Sequence, residues 1–151
     1  MRRATSIVGS GNLPGDNVLG TVTLCFEDRF RRRKKMTDDS GMDFLLDLAD
    51  AVQLEEGDAL LLEDGSVIEV KAAEEEVLDI YCNNKAQTAR IAWHIGNRHT
   101  PVQVLKDGNL RIIYDHVLRE MVEGLGARTK NKYAPFSPEQ GAYAGAHSHD
   151  H

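Results

Sequence analysis

Hydrophobic and polar residues alternate over short stretches in the first half of the chain, and turn-forming residues separate these stretches. Such alternation is typical of strands with one buried face, and it is clearest at residues 20–26. At residues 59–70, two β-prone runs flank Asp64 and Gly65, a pair that suits a tight hairpin turn with positive φ. No helical periodicity interrupts this half. Residues 1–75 are therefore predicted to form a small all-β domain.

In the second half of the chain, segments with helical periodicity alternate with segments typical of strands. Asn84 and Asp115 are candidate N-caps. Gly96 and Pro101 bracket the predicted end of the first helix, and Gly126 is the expected stop of the second. The predicted elements, in chain order, are a strand at 77–81, a helix at 85–95, strands at 102–105 and 109–114, a helix at 116–125 and a strand at 128–136. This βαββαβ order predicts a ferredoxin-like domain, so the fold class is α+β.

Changes in composition set the predicted domain boundaries. An acidic run at residues 74–76 separates the β-like first half of the chain from the mixed second half. The ferredoxin-like domain is predicted to span residues 76–140. Residues 141–151 are rich in Gly and Ala, lack large aliphatic side chains and carry three of the six histidines. That composition predicts a flexible tail.

Composition also excludes several classes of protein. The net charge of −6 argues against nucleic acid as the main partner, because phosphate binding needs an excess of basic side chains on one face. No apolar run approaches the ~20 residues that span a bilayer, and no apolar signal segment begins the chain. Cys25 and Cys82 lie far apart and form no CxxC motif. We therefore expect a cytoplasmic protein without a membrane partner.

A basic run at residues 29–35 departs from the acidic balance of the chain. It is compatible with a solvated strand and loop, with a docking site for an acidic protein, or with a nucleic-acid patch. We rank the three in that order, because Phe30 is the only aromatic residue in the run.

The last five residues contain three histidines, His147, His149 and His151. In an extended chain, residues two apart project to the same side, so these imidazoles can converge on one cation. Neutral imidazole suits Ni²⁺, Cu²⁺ and Zn²⁺ alike. Ordering such a tail costs roughly 1–2 kcal/mol per residue, which predicts the weak, exchangeable binding that suits transfer. An affinity tag or a solvated terminus is the alternative interpretation.

The other candidate ligands are His94, His99 and His116. His94 and His99 are five residues apart and do not form the i,i+4 pair that places two ligands on one helical face. From spacing alone, we expect His94 to pack within its helix, His99 to cap the helix end and His116 to be structural. A symmetric dimer changes the count of ligands, because a two-fold axis can bring both copies of His99 together.

The segment at 91–103, Ile-Ala-Trp-His-Ile-Gly-Asn-Arg-His-Thr-Pro-Val-Gln, resembles the signature of the UreE family of urease accessory proteins. Similar segments continue at 115–118, 125–127, 135–139 and 141–143, and in the first half at 31–34, 44–48, 57–58 and 63–65. The resemblance therefore spans nearly the whole chain.

This resemblance implies a nickel metallochaperone for urease maturation that is not an enzyme. It implies a β domain for protein contact and a ferredoxin-like domain that binds metal and dimerises. By position, His99 corresponds to the family's nickel ligand at the dimer interface, and the tail histidines correspond to its variable C-terminal ligands. The implied partners are a second copy of the chain, the GTPase UreG, and the assembly of UreD, UreF and UreG with apo-urease.

Two departures from the family pattern change these expectations. The tail carries three histidines instead of a long His-rich extension, which argues against storage of many ions. Tyr114 stands where some relatives carry a histidine two residues before the one that matches His116, which argues against a second fixed site. The main alternative function is a non-catalytic interaction module with incidental zinc or copper binding. A small metal-dependent hydrolase ranks last, because the sequence supplies no fixed set of three ligands.

Overall fold

The computed structural model describes residues 1–9 and 18–140. They form two compact units, and the boundary between them in the chain lies between Glu74 and Glu75. The predicted tail, residues 141–151, lies outside the described residues. Among the described residues, no helix is long and apolar enough to cross a membrane. Each unit is described by itself below.

The first unit is a six-stranded sheet, as the alternating pattern predicted. Its strands are β1 (Arg2–Val8), β2 (Val18–Leu24), β3 (Phe30–Thr37), β4 (Asp43–Gln53), β5 (Ala59–Leu62) and β6 (Val67–Ala72), in the spatial order β2-β6-β5-β1-β4-β3. A single 3₁₀ turn, Phe26–Arg29, precedes β3. Strands β5 and β6 form the predicted antiparallel hairpin, and Gly65 takes the expected positive φ of 89° in its turn.

In the strands of the first unit, every second side chain points into the core. In β4, Phe44, Leu46 and Leu48 are buried, while the residues between them are only partly covered. They pack with apolar residues of all the other strands, namely Ala4, Val22, Met36, Leu60, Leu62, Ile68 and Val70. One buried face of a curled sheet therefore encloses the modest core that 75 residues allow.

Residues 30–35 of the basic run lie in edge strand β3, and four of their five charges pair with carboxylates of the same unit. Lys34 and Arg31 both reach Asp28 Oδ1 at 3.0 Å. Their hydrogen bonds lower the pKa of Asp28 to about 2, although partial burial opposes the shift. Arg33 and Lys35 form similar pairs with carboxylates of β4. This geometry favours the solvated-strand interpretation, since a charged edge strand also discourages pairing with a second sheet.

The second unit has the predicted ferredoxin-like order. Its elements are β7 (Glu74–Tyr81), α1 (Lys85–Asn97), β8 (Gln103–Val104), β9 (Leu110–Ile113), α2 (His116–Gly124) and β10 (Arg128–Pro135). The sheet order is β10-β7-β9-β8, and β9 runs antiparallel to both β7 and β8. Each helix therefore connects two strands that are not neighbours, as in a split βαβ unit.

Both helices pack on one face of this sheet. Leu78 and Ile80 of β7 point to that face and join the core, while Asp79 points the opposite way. Asp79 is buried and accepts two hydrogen bonds from Arg111, at 2.6 and 2.9 Å, as well as an ion pair from Lys132 at 3.1 Å. Burial opposes its ionisation, but these cations outweigh it and hold the pKa of Asp79 below its ordinary value.

Several element boundaries differ from the prediction by a few residues. Strand β7 begins at Glu74 and not at residue 77, so the acidic run forms the start of this strand. Helix α1 continues past Gly96 to Asn97, and so it ends between Gly96 and Pro101, as predicted. Gly96 is not among the glycines with positive φ, and a different residue ends the helix.

Candidate metal centre

Helix α1 carries the candidate site, and its start is set by two side chains. The Asn84 side chain accepts a hydrogen bond from the Gln87 amide at 2.8 Å, and Gln87 Oε1 accepts one from the Asn83 amide at 2.6 Å. These reciprocal bonds resemble a capping box. Ile91 and Ile95, four residues apart, then bury one face of the helix against the sheet. The start and the rotation of α1 are therefore determined locally.

The end of α1 presents His99. The amide of His99 donates to Gly96 O at 2.9 Å, and the amide of Thr100 donates to Ile95 O at 3.3 Å. This pair of bonds is the Schellman motif, in which the residue after the C-cap takes a left-handed conformation. His99 occupies that position with φ of 57°, and among the described residues it is the only one other than glycine with positive φ.

A left-handed conformation is unusual for an L residue with a side chain. It costs roughly 1–2 kcal/mol relative to a right-handed one, although histidine tolerates it better than most residues. Glycine would avoid that cost. Such an outlier at an exposed helix end suggests that the side chain serves a purpose other than stability. The C-cap of the helix is Arg98, so His99 lies one residue beyond the cap that was predicted for it, and its side chain is exposed.

His94 lies one turn earlier and is half-buried. Its ring meets the ring of Trp93 edge-on, with the centroids 5.0 Å apart and the planes at 85°. This contact agrees with the expected packing role of His94. His116 is exposed at the first position of α2, after Asp115, whose side chain accepts hydrogen bonds from the amides of Val117 and Leu118.

The described residues do not complete a metal site by themselves. Within residues 1–9 and 18–140, no group of three His, Cys, Asp or Glu side chains is arranged to hold an ion. His147, His149 and His151 lie outside the described residues. A site built on His99 therefore needs ligands from a second chain, from the tail, or from both.

The outer face of α1 was missed by the reasoning from sequence. Trp93, 62% exposed, lies on the side of the helix opposite Ile91 and Ile95. Its neighbours on that face, by helical spacing, are exposed and mostly small: Ala86, Ala89, Arg90, Gly96 and Asn97. The signal was present in the sequence, because Trp93 is out of phase with the buried isoleucines of the same helix.

Comparison with known proteins identifies two family models that together cover almost the whole chain. Residues 4–73 match the N-terminal domain of the UreE urease accessory protein, and residues 75–151 match its C-terminal domain.

Individual relatives extend over nearly the full chain. A urease accessory protein UreE of Rhodopseudomonas palustris (strain BisB18) is 51% identical over 153 residues, which cover 100% of this chain and 72% of the relative. The Azorhizobium caulinodans protein of that name is 46% identical over 151 residues, with 100% and 72% covered. The Agrobacterium fabrum protein of that name is 42% identical over 152 residues, with 99% and 93% covered.

Proposed function

The chain belongs to the UreE family of urease accessory proteins, and from that premise we propose that it binds Ni²⁺ and delivers it for assembly of the urease metallocentre. Its relatives are named as accessory proteins, so the chain is an accessory protein and not an enzyme. The observation that carries the proposal is His99, an exposed imidazole held in a left-handed conformation at a helix end.

The donor chemistry of this position fits nickel as cargo. A neutral imidazole is a good ligand for Ni²⁺, and also for Zn²⁺ and Cu²⁺. One histidine cannot retain an ion, but two copies related by a two-fold axis supply two nitrogen ligands. The tail residues His147, His149 and His151 would complete the shell and exchange readily, because ordering a segment of this Gly- and Ala-rich composition costs free energy at each binding event.

The outer face of α1 supports a homodimer as the form that binds the ion. Trp93 is an exposed aromatic residue on a face otherwise made largely of small side chains, and such a face allows two helices to approach closely. Aromatic residues are also enriched at the centres of protein interfaces. Because Trp93 and Gly96 lie within six residues of His99, a contact between two copies of this face would bring both imidazoles near the axis.

The proposed recipients are the GTPase UreG and the assembly of UreD, UreF and UreG with apo-urease, reached in the cytoplasm. The proposed role of the first unit is protein contact. Its edge strand β3 is largely neutralised by the carboxylates of Asp28, Asp43 and Asp47, so an acidic partner would have to compete with those pairs.

Calorimetric titration of nickel into the wild-type chain and His99→Ala tests the metal assignment. We expect the variant to lose at least about ten-fold in affinity, or about 1.4 kcal/mol. His116→Ala is the matched control, because His116 is also an exposed histidine beside a helix end. Equal nickel binding in wild type and His99→Ala would overturn the proposal and favour the interaction module. Parallel titrations with Zn²⁺ and Cu²⁺ rank the three metals.

The dimer is tested separately by light scattering on the purified chain. We expect the wild type to be a dimer and Trp93→Lys to be a monomer, because a charge on an apolar interface is strongly unfavourable. Tyr133→Lys is the matched control, since Tyr133 is another aromatic residue of the second unit and is 67% exposed. A dimeric Trp93→Lys variant would show that the outer face of α1 is not the interface.

A further inference from the structure

The two edges of the second sheet differ in what covers them. Strand β8, at one edge, has only two residues, and the chain that follows β10 lies against it. There the Glu139 amide donates to Val102 O at 2.8 Å, and the Val104 amide donates to Glu139 Oε2 at 3.3 Å. Strand β10, at the other edge, has eight residues, and among the described residues no strand pairs with its outer side. Alternate backbone amides and carbonyls of β10 therefore point outward, away from the sheet.

The side chains of β10 make this open edge basic. Arg128, Lys130 and Lys132 are two residues apart along the strand, so they share one face. The guanidinium of Arg128 lies 5.9 Å from the centre of the Tyr81 ring, and Lys132 Nζ lies 3.1 Å from Asp79 Oδ2. Both contacts are made with the neighbouring strand β7. Lys130, between them in the sequence, is exposed to solvent.

The carboxylates on the same face do not balance these charges. Asp79 is shared between Lys132 and Arg111 of β9, which donates two hydrogen bonds to it. By alternation along β7, Glu75 is the second carboxylate on this face. The four cations of β9 and β10 against these two carboxylates leave two positive charges in excess. Strand β3 of the first unit differs, because four of its five charges are paired with carboxylates.

This excess charge decides which kind of strand fits the edge. A second copy of β10, related by a two-fold axis through the sheet, would place three more cations beside the first three, and like charges on neighbouring strands are destabilising. A strand with acidic side chains at alternate positions would place carboxylates there instead. Tyr133, 67% exposed on the opposite face of β10, offers an aromatic surface to an apolar side chain of such a strand.

We propose that β10 is a docking strand for an acidic, extended segment of a partner protein, which pairs with its outer edge and places carboxylates beside Arg128, Lys130 and Lys132. In this mode of recognition, main-chain hydrogen bonds supply affinity and alternate side chains supply specificity. The inference goes beyond the proposed function and does not depend on nickel, because none of these residues is a proposed metal ligand.

The probe is a synthetic peptide of alternating glutamate and valine with the length of β10, eight residues, added to the full chain without metal. One control peptide has lysine in place of glutamate. The other is the acidic peptide N-methylated at every residue, which retains its charge but cannot donate hydrogen bonds to a strand. Fluorescence anisotropy measures affinity, and NMR measures the shifts and the exchange of the β10 amides.

We expect the acidic peptide to bind and to slow the exchange of β10 amides, while neither control peptide does so. Lys130→Glu should raise the dissociation constant at least about five-fold, because a favourable cross-strand pair becomes a repulsive one. Lys106→Glu is the matched control, since Lys106 is an exposed lysine in the turn between β8 and β9. It should change the affinity by less than about two-fold at physiological salt, which screens distant charges.

Several results would overturn the inference. One is the absence of shifts in β10 amides at millimolar acidic peptide, and another is unchanged affinity in Lys130→Glu. Equal binding of the N-methylated peptide, or an equal loss in Lys106→Glu, would mean that the cations attract any anion without strand pairing. Slower exchange of β10 amides at higher protein concentration, without peptide, would identify a second copy as the occupant. The nickel titrations of His99→Ala are independent of these outcomes, so the docking strand and the proposed function can fail separately.

Discussion

The two helices of the second unit end in the same hydrogen-bonded motif but with different residues at its left-handed position. At the end of α2, the amides of Gly126 and Ala127 donate to Glu123 O and Val122 O, and Gly126 has φ of 98°. At the end of α1, His99 and Thr100 make the equivalent bonds. The end of α2 has glycine, which adopts the left-handed conformation at the least cost in free energy. The end of α1 has a histidine there and exposes its imidazole. The left-handed position after α2 therefore serves the stability of the fold, whereas the one after α1 is available for function.

The surroundings of the left-handed residue also differ between the two helix ends. A Cβ on Gly126 would lie 2.8 Å from Gln87 Nε2, which donates to Leu125 O at 3.2 Å. Gln87 thereby ties the start of α1 to the end of α2. His99 is exposed and meets no such constraint. The end of α2 is thus a packed junction between helices, while the end of α1 is open to a ligand.

Gly126→Ala should produce the largest loss of stability among the changes at these helix ends. We expect the free energy of unfolding to fall by about 2–3 kcal/mol, because the alanine must adopt a left-handed conformation and displace the Gln87 amide. Urea denaturation measures the change. Gly124→Ala is the matched control, since Gly124 is helical with open space around it, and it should be neutral or slightly stabilising. Equal stability of the two variants would contradict the account of the junction.

Much of this fold could be predicted from sequence, because its signals are local. The caps Asn84 and Asp115, the hairpin turns at Gly65 and Gly108, and the stop at Gly126 each depend on a few neighbouring residues. The end of α1 was predicted only as lying between Gly96 and Pro101, and it lies there at Asn97. The motif that ends the helix could not be predicted, because it has histidine and not glycine at the left-handed position.

The candidate site could be predicted only in part. His99 could be singled out from the resemblance, but not its conformation or its exposure. The path of the chain after β10 could not be predicted, because hydrogen bonds hold it to residues 34 and 35 positions earlier in the chain. The exposed face of α1 could have been found from helical periodicity, which places Trp93 on the side of the helix opposite Ile91 and Ile95. The roles of the tail histidines stay predictions.

Substitutions of His99, the left-handed residue after α1, test whether the two helix ends differ in stability and in metal binding as described. We expect His99→Gly to raise the free energy of unfolding by about 0.5–1 kcal/mol, because relief of the left-handed conformation exceeds the extra entropy of glycine in the unfolded chain. The same variant should bind nickel at least about ten-fold more weakly. His99→Asn, which tolerates this conformation but lacks the imidazole, is the control. A variant that loses stability and retains nickel would contradict the idea that function maintains this histidine.

Gly96 provides the next test, because it lies near the end of α1 but, unlike Gly126, has no positive φ. Gly96 is helical and has open space where a Cβ would stand. Gly96→Ala should therefore leave the end of α1 in place and stabilise it by about 0.5 kcal/mol, the usual advantage of alanine near a helix end. Circular dichroism and thermal unfolding measure both effects. Loss of helix in this variant would mean that Gly96 does contribute to the stop.

The smallest expected effect concerns the charges in the last turns of the two helices. A helix C-terminus favours a cation and disfavours a carboxylate, and α1 carries His94 there whereas α2 carries Glu123. The Thr129 hydroxyl donates to Glu123 Oε2 at 2.6 Å, and this bond, with Arg119, holds the pKa of Glu123 below its ordinary value. A carboxylate with a lowered pKa stabilises the fold above its unfolded pKa and loses that contribution as pH falls.

Thr129→Val should therefore raise the pKa of Glu123 and weaken the decline in stability as the pH is lowered through the carboxylate range. Carbon-detected NMR titration of the carboxyl group measures the shift directly. Thr129→Ser retains the hydroxyl and should leave the titration unchanged, which separates the hydrogen bond from the packing of the strand. An unshifted pKa of Glu123 in Thr129→Val would mean that Arg119 alone offsets the unfavourable carboxylate at the end of α2, through an ion pair and not through the hydroxyl bond of Thr129.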